Sequence, residues 1–371
     1  MTTTGALRTR ARDIGIPFDG QPGSMNSITD VPGVSVGYTT LIEGHGSHAV
    51  RTGVTIILPR DRTRFGVPVA AGIYTMNGNG EMTGSHWIDE TGLLTLPIGI
   101  TNSHAVGTVH RGIIDYVVAN HPDVAADWLM PVVAETYDGD LNDINGNHVS
   151  GRHVALAIEN STAGLLAEGN VGGGTGMMCY EFKGGSGTAS RTVSFGDVEF
   201  SLGAFVQANF GARDELTIAG KRLGLSLNAR RPDRHATSRP PGGGSVIVVV
   251  GTDAPLLPAQ CKALARRVPL GLARTGTTGS HFSGDIFLAF STAKQPSLHV
   301  GYDKRPDMGI LDQVSFVPWA HLDGLFAATV QAVEEAVVNA MCAAEGMTGK
   351  DGYHVPALPL DQVAARFSAT A

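Results

Sequence analysis

Cysteine, charge and long apolar runs are all in short supply in this chain, and each shortage closes off a class of protein. The three cysteines, Cys179, Cys261 and Cys342, are odd in number and far apart. They do not make a disulfide framework or a CxxC metal site, and a reducing compartment fits them. Charged residues are only 16% of the sequence, with a net charge of −7 and no long basic run. That argues against nucleic acid as a partner, because neutralising phosphates needs clustered Lys and Arg. No run of about 18 apolar residues occurs, so no membrane span is expected. The segment from Met1 to Ile16 has Arg8, Arg10 and Arg12 but no apolar stretch behind them. It does not read as a signal peptide, and a cytoplasmic location is expected. Histidines such as His45/His48 and His104/His110 lack HExxH or His/Cys ligand spacing, so neither a metal nor another cofactor is expected.

Glycine and aliphatic residues are what the chain does have. With 49 glycines and 42% hydrophobic residues in 371 positions, it reads as a globular protein with a large core and many tight turns. Val54 to Leu58 and Ile286 to Phe290 read as strands, and Val193 to Gln207 as a hairpin. Val109 to Asn120 and Asp123 to Glu135 read as helices. Asp253 is read as the cap of a helix running to about Val268. Phe326, Val330, Val333, Val337 and Met341 mark one face of a last helix, with Glu334 and Glu335 on its solvated side. Strands and helices mix without regular βαβ alternation, which predicts a layered α/β fold with largely antiparallel sheets. The glycine loop Gly169 to Gly176 lacks the Lys and Ser/Thr of a phosphate loop and reads as close backbone packing.

One junction carries chemistry. Asn228 to Gly244 is basic and proline-rich, reads as an exposed loop, and ends in three glycines. Ser245 follows, and then five β-branched residues that predict a buried central strand. An ordinary loop-to-strand boundary has the same appearance. The chemical reading is that the Ser245 hydroxyl attacks the Gly244 carbonyl, with glycine permitting the backbone geometry. An acyl shift and hydrolysis would then leave Ser245 with a free α-amine. An unperturbed α-amine has a pKa of roughly 7.7–8.0, suited to act as base for its own hydroxyl. Gly185-Ser186 is a competing junction, but Ser186 is followed by Gly187, Thr188 and Ala189 rather than a core strand. His281, two residues before Ser283, does not stand in a nucleophile-elbow context.

Several blocks together resemble a known family. They are ITDVPGVSVGYTT (28–40), NGNGEMTGSHWIDETG (77–92), AETYDGDLND (134–143), GNVGGGTGMMCYEFKGG (169–185), VQANFG (206–211), SVIVVVGTDAPLLP (245–258) and SGDIFLAFST (283–292). The chain resembles the DmpA-type L-aminopeptidase/D-amidase-esterases and the β-aminopeptidases over nearly its whole length. The resemblance implies a four-layer α/β/β/α sandwich, like that of N-terminal-nucleophile hydrolases and related to ornithine acetyltransferase. It implies one catalytic domain over residues 1–371, cut after Gly244 into chains 1–244 and 245–371. Ser245 matches the nucleophile, and Ser283 the serine that bonds around it. Asp285 stands where relatives carry a glutamate. Asn209 and Tyr137 match the oxyanion-stabilising residues, and Glu135 the acid that receives the substrate's amino group. The implied enzyme is a serine aminopeptidase or amidase acting on peptides, amides or esters with a free amino group. It works as a homo-oligomer of αβ units. Acyl transfer as in ornithine acetyltransferase is an alternative, although that family generally uses threonine. A non-catalytic member of the fold is another.

Overall fold

The structure, a computed structural model, describes residues 8–232, 240, 242–293 and 313–368. Ten strands build its two main sheets. They are β1 (Ser35–Glu43), β2 (Val50–Leu58), β3 (Val69–Gly78), β4 (Leu93–Leu94), β5 (Ile98–Asn102), β6 (Val132–Thr136), β7 (Gly185–Phe195), β8 (Val198–Gly211), β9 (Gly242–Thr252) and β10 (Ser283–Ser291). One sheet runs β1-β2-β5-β6 and the other β4-β3-β10-β9-β8-β7. Each has one parallel pair, β5/β6 and β9/β10, and is otherwise antiparallel.

The β-branched run after Ser245 explains the layering. Successive side chains in a strand point to opposite faces. Val246, Val248 and Val250 join a core shared with α3 (Pro258–Ala265), α4 (Val268–Arg274) and α5 (Asp323–Cys342). Ile247 and Val249 join the core between the sheets, with Ile57, Ile98, Ile100 and Ala134. A third core seals the other sheet under α1 (Val106–Asn120) and α2 (Gly151–Glu159), where Val54 and Ile56 meet Val109, Ile113 and Val154. The result is the expected α/β/β/α sandwich. Each fully buried Val or Ile contributes roughly 1.5–3 kcal/mol. α5 is the one described helix long and apolar enough to cross a membrane, but 78% of its most apolar 18-residue stretch is buried within the protein.

Three expectations are corrected. Asp123 to Glu135 is not a helix. Only Pro122–Ala125 makes a helical turn, and Val132–Thr136 is β6, parallel to β5. Pro131 would cost an interior helix roughly 3 kcal/mol, and Val132 and Val133 suit a strand instead. Asp253 caps no helix: it accepts the Ser201 N–H at 2.8 Å, while α3 starts at Pro258, with Leu257 before it. Proline is at home in a first helical turn, where its missing N–H is not needed. Finally, Glu334 and Glu335 are buried rather than solvated. Glu335 takes two bonds from Arg12 (2.7 and 2.8 Å), one from Arg191 (2.8 Å) and one from Asn26 (2.6 Å). Burial pushes its carboxyl up, but these donors outweigh it and hold it below the ordinary range. Glu334 pairs with Arg274 at 3.0 Å.

Candidate active site

Strand register brings most of the predicted residues to one end of the larger sheet. Ser245 is buried in β9, directly opposite Asn209 of β8 on one side and Gly284 of β10 on the other. Paired residues share a face, so the Ser245 and Asn209 side chains lie on the side that faces the other sheet. The bulge between Asn209 and Gly211 re-aims the end of β8 beside this pair. β9 starts at Gly242, so the Gly244–Ser245 bond is already inside the strand, at the end of the basic loop. Of that loop, residues 233–239 and 241 lie outside the described residues. Gly244 has φ +145°, in the region that favours glycine. The Ser245 hydroxyl donates to the Gly244 carbonyl oxygen at 2.6 Å.

Asn209 is fixed at both ends of its amide. Its Oδ1 accepts the Met178 N–H at 2.8 Å, and its Nδ2 donates to the Tyr137 carbonyl at 2.8 Å. Those bonds also fix which end of the amide donates. Tyr137, just past β6, keeps 37% of its surface exposed. Glu135, two residues earlier, is buried and accepts from the Ser103 hydroxyl and from the Glu81 N–H (3.2 Å). Burial raises its pKa against those two bonds. Gly80 lies between Glu135 and β10: a Cβ there would stand 3.1 Å from the Glu135 carboxylate and 3.2 Å from Gly284 Cα. Gly284 is opposite Ser245 in register, so Gly80 links Glu135 to the strand beside Ser245.

Ser283 and Asp285 are at the same strand end but on the other face. They are paired with Gly244 and Val246, which alternate with Ser245. The Ser283 hydroxyl donates to Asp285 at 2.6 Å, and the Asn77 amide donates to the second Asp285 oxygen at 2.9 Å. Burial raises the Asp285 pKa, opposed by the bonds from Ser283 and Asn77. Ser283 therefore reaches the sheet plane beside Gly244 rather than the Ser245 hydroxyl. His281 is exposed and packs on Phe282, with ring centroids 5.1 Å apart.

Residues 26–355 match peptidase family S58. The chain belongs to that family. It is 46% identical to the beta-peptidyl aminopeptidase BapA of Sphingosinicella microcystinivorans, over 94% of this chain and 89% of that protein. Among solved structures it is similar to the Burkholderia sp. beta-aminopeptidase, with a TM-score of 0.88, 45% identity, and coverage of 96% of this chain and 98% of that one. It is also similar to the L-aminopeptidase D-Ala-esterase/amidase of Ochrobactrum anthropi, a prototype for the serine aminopeptidases and a new variant among the Ntn hydrolase folds. There the TM-score is 0.89, at 45% identity, covering 97% of this chain and 99% of that one. Membership of S58 makes this chain a hydrolase of the aminopeptidase kind and favours that reading over acyl transfer.

Other parts of this S58 chain support these side chains without having been singled out from sequence. Asn77 and Ser103 orient the two carboxylates. Both are ordinary polar residues, and only the strand register brings them there. The glycine loop packs as expected: Gly173 donates to the Thr55 hydroxyl at 3.0 Å, and a Cβ on Gly174 would fall 2.3 Å from the Ser186 nitrogen.

Proposed function

We propose that this S58 chain cuts itself before Ser245 and then works as an aminopeptidase with Ser245 as its N-terminal nucleophile. The observation that carries the reading is the Ser245 hydroxyl, 2.6 Å from the carbonyl oxygen of the residue before it, in a bond whose glycine has φ +145°. In the cleavage, Oγ adds to the Gly244 carbonyl carbon and gives up its proton. The Gly244–Ser245 C–N bond breaks, and the nitrogen takes a proton. Water then hydrolyses the ester, leaving a Gly244 carboxylate, a free Ser245 hydroxyl and a free α-amine. The products are chains of 244 and 127 residues.

In turnover the α-amine takes the Oγ proton while Oγ attacks the substrate carbonyl. Asn209 Nδ2 and the Tyr137 hydroxyl stabilise the oxyanion as neutral donors. The leaving amine takes the proton, and water resolves the acyl-enzyme. Ser283, across from Gly244 in register, is beside the place where the new amine emerges once Gly244 is released. Asp285 is one methylene shorter than the glutamate of relatives, and its bonds to Ser283 and Asn77 keep it in contact with that position. Glu135 receives the substrate ammonium, which makes the enzyme an exopeptidase.

Substrates are peptides, amides and esters with an unblocked amino group. The beta-peptidyl aminopeptidase relatives add β-residues to the α-residues of that range. Exposed Leu270, Phe282 and Trp319 offer surfaces that association of αβ units would cover. Three buried free cysteines suit the cytoplasm. The test is mass spectrometry of the purified protein with N-terminal sequencing of the smaller fragment, followed by hydrolysis of β-alanine p-nitroanilide and of its N-acetyl form. The reading requires a fragment beginning at Ser245 and hydrolysis of the unblocked substrate alone. An uncut but fully active protein would sink it.

A further inference from the structure

A strained hairpin runs underneath Asn209. Residues Met178–Cys179 pair with Phe182–Lys183, and Met178 stands directly opposite Lys183. The two turn residues, Tyr180 and Glu181, have φ +51° and +59°. Both central positions of such a tight turn require positive φ, which Gly or Asn usually supplies and bulky residues adopt only under constraint. The hairpin matters because the Met178 N–H donates to Asn209 Oδ1 at 2.8 Å and so decides where the amide NH₂ points.

Lys183 is fully buried, and its ammonium donates to the carbonyl oxygens of Met177 (2.7 Å) and Gly184 (2.9 Å). These carbonyls bracket the hairpin. Among the described residues, no carboxylate lies within ion-pairing distance of it. A buried cation satisfied by carbonyls alone is costly, and burial draws its pKa down to about 7. A neutral side chain would fill the core more cheaply, so the charge points to a task. Arg213, also buried, supports the turn itself by donating to the carbonyls of Tyr180 (3.0 Å) and Glu181 (2.8 Å).

We propose that Lys183 is a positioning residue of the Ser245 site: by clasping the carbonyls of Met177 and Gly184, its ammonium holds the hairpin whose Met178 N–H aims the Asn209 amide. The inference rests on the reading of Asn209 as an oxyanion donor.

The experiment compares Lys183→Met, Asn209→Ala and the double variant, with kcat and KM taken per mole of cleaved chain. Lys183→Met should lower kcat about 10- to 100-fold with KM within about threefold, as expected when a transition-state donor is misplaced but present. The double variant should be no slower than Asn209→Ala, within about threefold, because both changes remove the same interaction. Where a variant stays uncut, the rate of Gly244–Ser245 cleavage replaces kcat and should follow the same order. If Lys183→Met does not fold, Glu181→Gly is added to relieve the turn, and the same rates are read. Unchanged kcat in Lys183→Met alongside an inactive Asn209→Ala overturns the role of Lys183 alone. So does a multiplicative loss in the double variant, or a chain that stays unfolded with Glu181→Gly. A fully active Asn209→Ala overturns the Asn209 reading instead.

Discussion

Two glycine–serine junctions lie in the same sheet, and they differ in what each serine hydroxyl can reach. Gly185 and Gly244 both have φ near +150° (+152° and +145°), and both are followed by a buried serine in a strand. Ser186 is locked. Its hydroxyl donates to the Val171 carbonyl at 3.0 Å, and its backbone exchanges bonds of 2.7 and 2.9 Å with Gly169. Ser245 instead turns its hydroxyl back on the carbonyl of its own preceding residue, with Asn209 opposite. An unusual backbone angle is therefore common to both. What separates the proposed reactive junction from the structural one, among the described residues, is a hydroxyl bonded to its own preceding carbonyl with an amide opposite it in register.

The largest effect expected from breaking this contrast is Ser245→Ala, which should leave a single 371-residue chain on a denaturing gel and no amidase activity. Wild-type hydrolysis of an alanine amide by that variant would remove the contrast altogether. Next is Gly185→Ala, whose new Cβ would lie 2.1 Å from the Gly169 oxygen. It should destabilise the fold by about 1–3 kcal/mol, as overpacking does, read as a lower denaturation midpoint with the cut site unchanged. Gly244→Ala should do the reverse, slowing cleavage with a smaller change in midpoint.

The contrast also has a pH signature. Burial raises Glu135, which in its proposed role must be ionised to hold a substrate ammonium. Activity should therefore fall with acid at a pH above the ordinary carboxylate value of about 4.3. The stability sign is opposite: a raised carboxyl pKa favours the fold below the unfolded value, and that contribution is lost as pH rises. A kcat/KM profile of wild type against Glu135→Gln, which should lack the limb, checks this. The smallest effect is Ser186→Ala, about 1 kcal/mol for a lost buried hydrogen bond, with normal cleavage and turnover.

The central strands were legible because aliphatic runs such as Val246 to Val250 suit only a strand buried on both faces. The proposed nucleophile stands out because such a run directly follows a serine. Local pattern misled where a distant partner decides. Val132–Thr136 becomes a strand by pairing with β5, about 34 residues upstream. Glu335 looked solvated because its cations, Arg12 and Arg191, are 323 and 144 residues away. Within the site, residue types could suggest Ser283 and Asp285 but not their face. That follows from the parallel register of β9 and β10, which sets Ser283 against Gly244 rather than Ser245.

The order β4-β3-β10-β9-β8-β7 would have a practical result once the proposed cut before Ser245 is made. The smaller piece owns the two middle strands, and the larger piece owns every strand on either flank. Pulling them apart would mean unzipping two seams of main-chain bonds at once, so the pieces should copurify through any gentle step and separate only under denaturant.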